Sequence, residues 1–296
     1  MKFGRVDHPE LIDFSLPEDH ADTKKRLSES KDGPLNIFVG CAKWNRQDLK
    51  NFYPRGTKDE LGHYSSQFNS IELNATFYRI FPKHTYDQWY DLTPDDFRFF
   101  PKVVNRVSHL RRLNDNIYPI INEYLEVTSR LKEKLGTIFL QMHSNFGPKN
   151  WDRVVKFIEY WPKEFPLAIE FRHADWYNDT VVANEIYQLL YENNIANILV
   201  DTAGRRDMLH MRLSNNEAFV RYVGANHPTD YERLDEWAVK IASWREQGLK
   251  NIHFFIHQNM ELASPLLSAY FIEKLNEQLG VKLHIPKTLV QPGKVY

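Results

Sequence analysis

Leu167-Ala168-Ile169-Glu170-Phe171-Arg172-His173-Ala174-Asp175-Trp176 begins as an apolar run of strand character, then turns into a carboxylate, a guanidinium, an imidazole and an aromatic ring. Side chains alternate along a strand, so Glu170 and Arg172 share one face, roughly 7 Å apart. A buried strand does not carry such charges unless they are paired, because an unpaired buried charge is costly. One strand of this kind could hold an internal ion pair. Several strands ending the same way make a site.

Seven other short apolar runs accompany it, at 37–39, 70–73, 97–102, 137–141, 198–201, 219–222 and 251–256, with this one at 167–170. The stretches 58–68, 86–90, 117–135, 151–160, 180–192, 234–247 and 265–279 place apolar residues three and four apart, which predicts helices. Gly136 and Gly248 read as helix stops. The sixth unit is irregular and carries Arg205-Arg206-Asp207-Met208. Strands alternating with helices indicate a parallel sheet. Eight units spaced about 30 residues apart suit a (β/α)8 barrel of the TIM type. A doubly wound open sheet is the alternative. It is disfavoured because Gly40-Cys41-Ala42-Lys43-Trp44 after the first strand is neither a dinucleotide fingerprint nor a P-loop. The expected layout is an α/β protein with one barrel domain over 35–280. A polar N-terminal extension over 1–34, partly helical around 22–31, precedes it, and a tail over 281–296 follows.

Composition narrows the function classes. The 296 residues are 42% hydrophobic and 14% aromatic, ample for a large core. Thirty-eight Lys and Arg oppose 39 Asp and Glu, so no global charge draws the chain to nucleic acid or a membrane. The single Cys41 excludes an internal disulfide framework and a cysteine-rich zinc module. No apolar run reaches the length of a membrane span and no signal-peptide core is present, so the expected location is the cytoplasm. The oligomeric state is not set by any of this.

Barrel chemistry belongs at the C-terminal strand ends, and the residues there are polar in every unit. In order they are Lys43 and Trp44; Glu72, Asn74 and Tyr78; Lys102, Arg106 and His109; Gln141 and His143; Glu170, Arg172 and His173; Asp201; Arg221 and Tyr222; and His257, Gln258 and Asn259. Glu72, Glu170, Lys102, Asp201 and His173 are the candidate catalytic groups. Trp44, Asn74, Tyr78, Gln141, Arg172, Trp176, Arg221, His257 and Asn259 are the candidate substrate-binding groups. Arginine gives bidentate recognition of carboxylate or phosphate, and a carboxylate among apolar walls can serve as acid or base. Each residue also has a structural reading: Glu72 and Arg172 as ion-pair partners, His173 as a helix cap, Trp44 and Trp176 as packing.

No cofactor is expected. His253 and His257 have a metal-like spacing, but four residues along a strand span about 13 Å, too far for one ion. His109, His143, His173 and His257 could converge from different strands on a metal, yet no metal ligand set is assigned.

Gly40-Cys41-Ala42-Lys43-Trp44 with Phe52-Tyr53-Pro54, Ile71-Glu72-Leu73-Asn74-Ala75-Thr76-Phe77-Tyr78, Phe97-Arg98-Phe99 with Lys102 and His109, Gln141 with Phe146, the 168–176 stretch, Asp201, 221–224 and His257-Gln258-Asn259 together carry a resemblance. The chain resembles the domain of unknown function 72 family, the YecE-like proteins, over about 36–275. The resemblance implies a TIM-type barrel and the strand-end site, and names no activity. The chain departs from the family pattern at Cys41-Ala42-Lys43, at Tyr222-Val223, at His143-Ser144 and at Gln258, which marks a divergent branch.

Three functions follow as expectations. The first is an enzyme (hydrolase, lyase or isomerase) acting on a small anionic or sugar-like molecule by acid–base or hydrolytic chemistry. The second is a nucleic-acid phosphodiesterase or repair-type barrel using Trp44, Trp176, Arg46, Arg205 and Arg206 for backbone contact and stacking. The third is a non-catalytic anion-binding protein.

Overall fold

The structure, a computed structural model, describes residues 4–29, 33–49 and 51–289. Among them are eight strands: β1 (Asn36–Cys41), β2 (Ser70–Leu73), β3 (Arg98–Pro101), β4 (Ile138–Gln141), β5 (Leu167–Glu170), β6 (Ala196–Thr202), β7 (Glu217–Gly224) and β8 (Asn251–Gln258). Each overlaps an apolar run of the sequence. The α-helices among the described residues are α1 (Ala21–Ser28), α2 (Glu60–Gln67), α3 (Ala75–Tyr78), α4 (Lys83–Leu92), α5 (Tyr118–Thr128), α6 (Trp151–Tyr160), α7 (Asp175–Asn178), α8 (Thr180–Glu192), α9 (Thr229–Gln247) and α10 (Ser264–Leu279). None of these helices is long and apolar enough to cross a membrane.

The fold is α/β with a parallel sheet. Six strands hydrogen-bond in the order β1-β8-β7-β6-β5-β4, and β2 pairs with β3 in a separate sheet. The β1/β8, β7/β8, β4/β5 and β5/β6 registers are all parallel. By contacts the chain divides into two compact units: residues up to 71 together with those from 199 onward, and residues 72–198.

In the first unit β8 shows why the strands lie as they do. Ile252, Phe254 and Ile256 alternate onto one face and pack with Trp237, Ile241 and Trp244 of α9 and Leu267, Phe271 and Leu275 of α10. Each such buried side chain contributes about 1.5–3 kcal/mol. Beside β1 the backbone ladder gives way to side chains. Asn69 accepts from Val39 N (3.1 Å) and donates to Ile37 O (2.7 Å), while the Tyr64 hydroxyl accepts from Cys41 N (2.8 Å) and donates to Ser70 O (2.9 Å). Side-chain amide and phenol thus satisfy the backbone groups that a ladder would otherwise pair. The approach is close: a Cβ on Gly40 would lie 2.2 Å from the Ser70 carbonyl oxygen.

The N-terminal segment belongs to this unit. Phe14, Thr23 and Leu27 are buried. Asp19 accepts from Lys240 (3.1 Å) and the Trp244 indole (3.0 Å), and Thr23 Oγ1 donates to Met211 O (3.0 Å). The expected helix of 22–31 is α1, with His20 Nδ1 accepting from Asp22 N at its start. Residues 30–32 lie outside the described residues, as does the tail beyond 289.

The second unit buries Ile138, Leu140, Ile169, Phe157, Trp161 and Trp176 in one core. β3 reaches β4 through the bridges Phe99↔Leu135 and Lys102↔Phe139. The expected 117–135 helix is broken: α5 stops at Thr128, a 3-10 stretch follows, and Lys132 takes φ 50°. The cause is Lys134, whose buried ammonium donates to Tyr90 O (2.7 Å) and Thr93 O (2.6 Å). Those carbonyls lie at the end of α4, where a cation is favourable. Reaching them takes precedence over a straight helix.

Gly40→Val is expected to lower stability by about 2–3 kcal/mol, the cost of forcing extra volume against fixed backbone. Urea unfolding checks this as a lower midpoint at an unchanged m value.

Candidate functional site

The polar strand ends of the 72–198 unit form one hydrogen-bonded chain. Lys102 follows β3, Gln141 closes β4 and Glu170 closes β5, with Gln141 and Glu170 register partners. Lys102 Nζ donates to Gln141 Oε1 (2.9 Å), and Gln141 Nε2 reaches both Glu170 oxygens (2.9 and 3.0 Å). Arg172 Nε donates to Glu170 Oε1. Lys102, Gln141 and Glu170 are buried, and the Arg172 side chain is 17% exposed. The amide offers its carbonyl to the cation and its NH2 to the anion, so its orientation is fixed by its neighbours. Charge-assisted bonds of this kind are the strong ones. On β2, Glu72 is fully buried and accepts from Asn74 Nδ2 (2.7 Å), as their shared face requires.

An aromatic and histidine wall stands beside this chain. Lys102 Nζ lies 4.3 Å from the centroid of the Phe77 ring, a cation–π distance. His109 meets Phe77 edge-on at 4.9 Å and His143 edge-on at 5.3 Å. His109 is carried on a π-turn, Arg106–Leu110, a form frequent at functional sites. Arg112 and Leu113 then take φ 47° and 55°, strain that Leu113 offsets by burying its side chain. Burial, followed by Lys102, His143 and Arg172, pushes His109 down to about 4, against a small opposing pull from Glu170. Burial, then Arg112 and Arg172, also lowers His143. Both rings are therefore neutral at pH 7 beside Lys102 and Arg172.

Three further candidates of this unit take separate places. Trp176 is fully buried, donating Nε1–H to Phe146 O (2.7 Å) and packing on Phe171, as its packing reading has it. His173 Nδ1 accepts from Asp175 N (3.2 Å) in a turn just before α7, whose N-cap is Ala174 without a side-chain cap bond, so His173 does not cap the helix as expected. Tyr78 is 74% exposed on α3.

Asp201, Trp44, Arg221, His257 and Asn259 belong to the other unit. Asp201 is fully buried and accepts from Arg206, from Arg233 Nη2 (2.8 Å) and from the Trp237 indole (2.8 Å). Arg206 in turn donates to Phe14 O (3.0 Å) and Ser15 O (2.9 Å), so this carboxylate anchors the N-terminal segment. Arg221 Nη2 lies 3.3 Å from His257 Nε2, and His257 Nδ1 is 3.9 Å from Glu261. The Trp44 carbonyl accepts from the Tyr53 hydroxyl. Asn259 is exposed and tied by its backbone N–H to Gly224 O (3.3 Å). Cys41 is buried, which pushes its thiol far above the usual range, as a small core residue rather than a nucleophile.

Among the described residues no group of three or more His, Cys, Asp or Glu is arranged to hold a metal ion. The sequence reading places His109 and His143 among the polar strand-end residues and the possible metal ligands, gives them no binding role, and leaves Phe77 as part of a motif. The signal for this wall is faint: Phe77 lies on the four-residue α3, His109 on the π-turn and His143 in the loop after β4, segments too short or irregular for periodicity to mark. What the arrangement can do is bind an anionic or oxygen-rich group at Lys102 and Arg172, with the Glu170 carboxylate bonded to Arg172 and Gln141.

Two outcomes follow. An NMR titration of the histidine ring protons is expected to give His109 a midpoint of about 4, moving up toward 6.5 in Lys102→Met as a repelling charge is removed. The unfolded chain binds that proton nearer 6.5, so this group's contribution is full above 6.5 and declines as pH falls toward 4. Asp201→Asn is expected to cost about 3–5 kcal/mol, because Arg206 loses its buried counter-charge and Arg233 loses one of its two; denaturant unfolding reads it.

Comparison with known proteins bears on the fold and the family. Residues 38–290 match the family model "Protein of unknown function DUF72". The chain is 24% identical over 268 residues to the UPF0759 protein YecE of Escherichia coli (strain K12), covering 82% of this chain and 94% of that one. It is 26% identical over 155 residues to the UPF0759 protein YunF of Bacillus subtilis (strain 168), covering 48% and 52%. Among solved structures it is similar to a DUF72 family protein from Enterococcus faecalis V583 (TM-score 0.65, 20% identity, 84% of this chain and 99% of that one). It is also similar to one from Thermotoga maritima MSB8 (TM-score 0.64, 22% identity, 81% and 99%). These likenesses carry the fold, and the family model, spanning both compact units and the whole set of polar strand ends, carries the membership: the chain belongs to the DUF72 family.

Proposed function

We propose that the protein is a complete (β/α)8 barrel of the TIM type and an enzyme that acts on a small anionic or sugar-like molecule by acid–base chemistry at its C-terminal strand ends. Eight strands in chain order, all but β6 followed by an α-helix, support the barrel. So does the side-chain closure by Asn69 and Tyr64 beside β1. The enzyme reading is carried by one observation: four consecutive linked polar groups at the ends of three neighbouring strands, Lys102, Gln141 and Glu170 buried and Arg172 partly exposed. Packing alone has no need of them, since well-packed apolar residues would serve stability as well.

In this reading Arg172 takes the anionic group of the substrate, held in orientation by Glu170, which Gln141 grips from the other side. Lys102 supplies the second positive charge. Glu72 is the proton-transfer group: its neutral partner Asn74 can hydrogen-bond to a carboxyl in either protonation state. The reading calls for no cofactor and for a small soluble partner met in the cytoplasm.

A metabolite mixture incubated with the protein and followed by NMR tests the proposal. One anionic or sugar-like component is expected to be consumed. Glu72→Gln is expected to slow that loss by about 10²–10⁴-fold, the usual worth of an acid–base group. Arg172→Ala is expected to abolish the thermal stabilisation given by the same component. Turnover unchanged in Glu72→Gln contradicts the assignment of the base. Binding without any turnover makes the protein an anion-binding module instead.

A further inference from the structure

The histidines around this site have their tautomers set by the chain. The backbone N–H of Asn145 donates to His143 Nδ1 (3.1 Å). A backbone N–H can only donate, so Nδ1 offers its lone pair and the proton of the neutral ring resides on Nε2. His173 on the next loop is held the same way by Asp175 N (3.2 Å), and its ring lies against Gly147, where an added Cβ would come within 3.3 Å. At His109 the partner of Nδ1 is the Ser108 hydroxyl, 2.9 Å away and on a fully buried side chain. The hydroxyl can donate or accept there; when it donates, His109 also carries its proton on Nε2.

The backbone turn itself is not special to the site. His20 accepts from Asp22 N and His227 from Thr229 N in the same manner. What distinguishes His143 and His109 is their company. The rings touch edge-on at 5.3 Å, and both feel the charge of Arg172. They offer N–H groups without adding positive charge, next to an ammonium and a guanidinium. Glu170 is 1% exposed and Arg172 17% exposed, so a ligand arriving from solvent meets the cation before the carboxylate.

We infer that this site takes the phosphoryl group of a small phosphate ester, held through the Nε2–H donors of His109 and His143 and offset in charge by Lys102 and Arg172. This rests on the anionic-substrate reading above and narrows it. A phosphoryl group has three terminal oxygens and takes more donors than a carboxylate, which has two. Neutral imidazole donors beside two cations supply that excess. A metal at Nε2 of His143 would need the opposite tautomer, which breaks the bond from Asn145 N.

Two variants separate the donor from its structural role. In His143→Asn the side-chain oxygen still accepts from the N–H two residues on, preserving the turn, while the Nε2–H donor is lost. In His109→Phe the ring contacts with Phe77 and His143 are kept. The experiment is calorimetric titration with inorganic phosphate, alongside long-range 1H–15N spectra of the imidazoles. Phosphate is expected to bind, with both rings in the Nε2–H form before and after, and each variant is expected to weaken binding about tenfold, near the worth of one hydrogen bond to a charged group. Phosphate affinity within twofold of the parent in both variants overturns the inference, as does an Nδ1–H tautomer in either ring. If Arg172→Ala abolishes binding while the histidine variants do not, the anionic reading stands and the histidine role fails. If a short single-stranded oligonucleotide binds more tightly than phosphate, the small-ester assignment fails. If phosphate binds as expected but Glu72→Gln leaves turnover unchanged, the inference stands and the acid–base reading fails.

Discussion

One buried amide holds the functional end of the 72–198 unit together. Gln141 accepts from an ammonium and donates to a carboxylate within one side chain. Neither a lysine nor a glutamate could replace it without placing like charges together, and an apolar residue would strand both partners. Lys102 and Glu170 are tolerated at buried strand ends because this dipole lies between them, with Arg172 completing the sequence of charges. The orientation of Arg172, and with it the character of the site, depends on that arrangement.

The two buried acids that end β5 and β6 have different fates, and the difference is physical. Asp201 is enclosed by two guanidiniums and an indole, one of which reaches on to the backbone of Phe14 and Ser15. It is consumed by structure. Glu170 is met by a neutral amide and by a guanidinium that remains partly exposed to solvent. One carboxylate fastens the N-terminal segment, whereas the other holds a cation where a ligand can reach it. Polarity at a strand end therefore does not itself mark chemistry: Arg206 also reaches solvent, but its donors are spent on Asp201 and on the backbone of Phe14 and Ser15.

The sequence made the strands legible because each is a short apolar run between turns, and Leu167–Glu170 matches its expected bounds. Pairing of Glu72 with Asn74 and of Glu170 with Arg172 followed from strand alternation, a local rule. Other features lay beyond such rules. The break after Thr128 depends on Lys134 finding carbonyls more than 40 residues earlier. The Asp201 cluster depends on Phe14 and Trp237, distant in the chain. His109 depends on a π-turn and two left-handed residues, for which sequence periodicity carries no signature. Helix and strand patterns report on neighbours a few residues apart, and the site is built by contacts across strands.

The account holds that the Lys102–Gln141–Glu170–Arg172 chain is kept for binding and chemistry, not for stability. The direct measurement is denaturant unfolding of the quadruple variant Lys102→Met, Gln141→Leu, Glu170→Leu, Arg172→Met, in which apolar side chains of similar volume replace the whole network. Buried ion networks exchanged in this way are commonly neutral or stabilising by about 1–4 kcal/mol, and functional sites commonly cost stability. The predicted result is a variant at least as stable as the parent that no longer gains stability from any anion. A loss of about 3 kcal/mol or more would instead make the network a structural device and contradict the account.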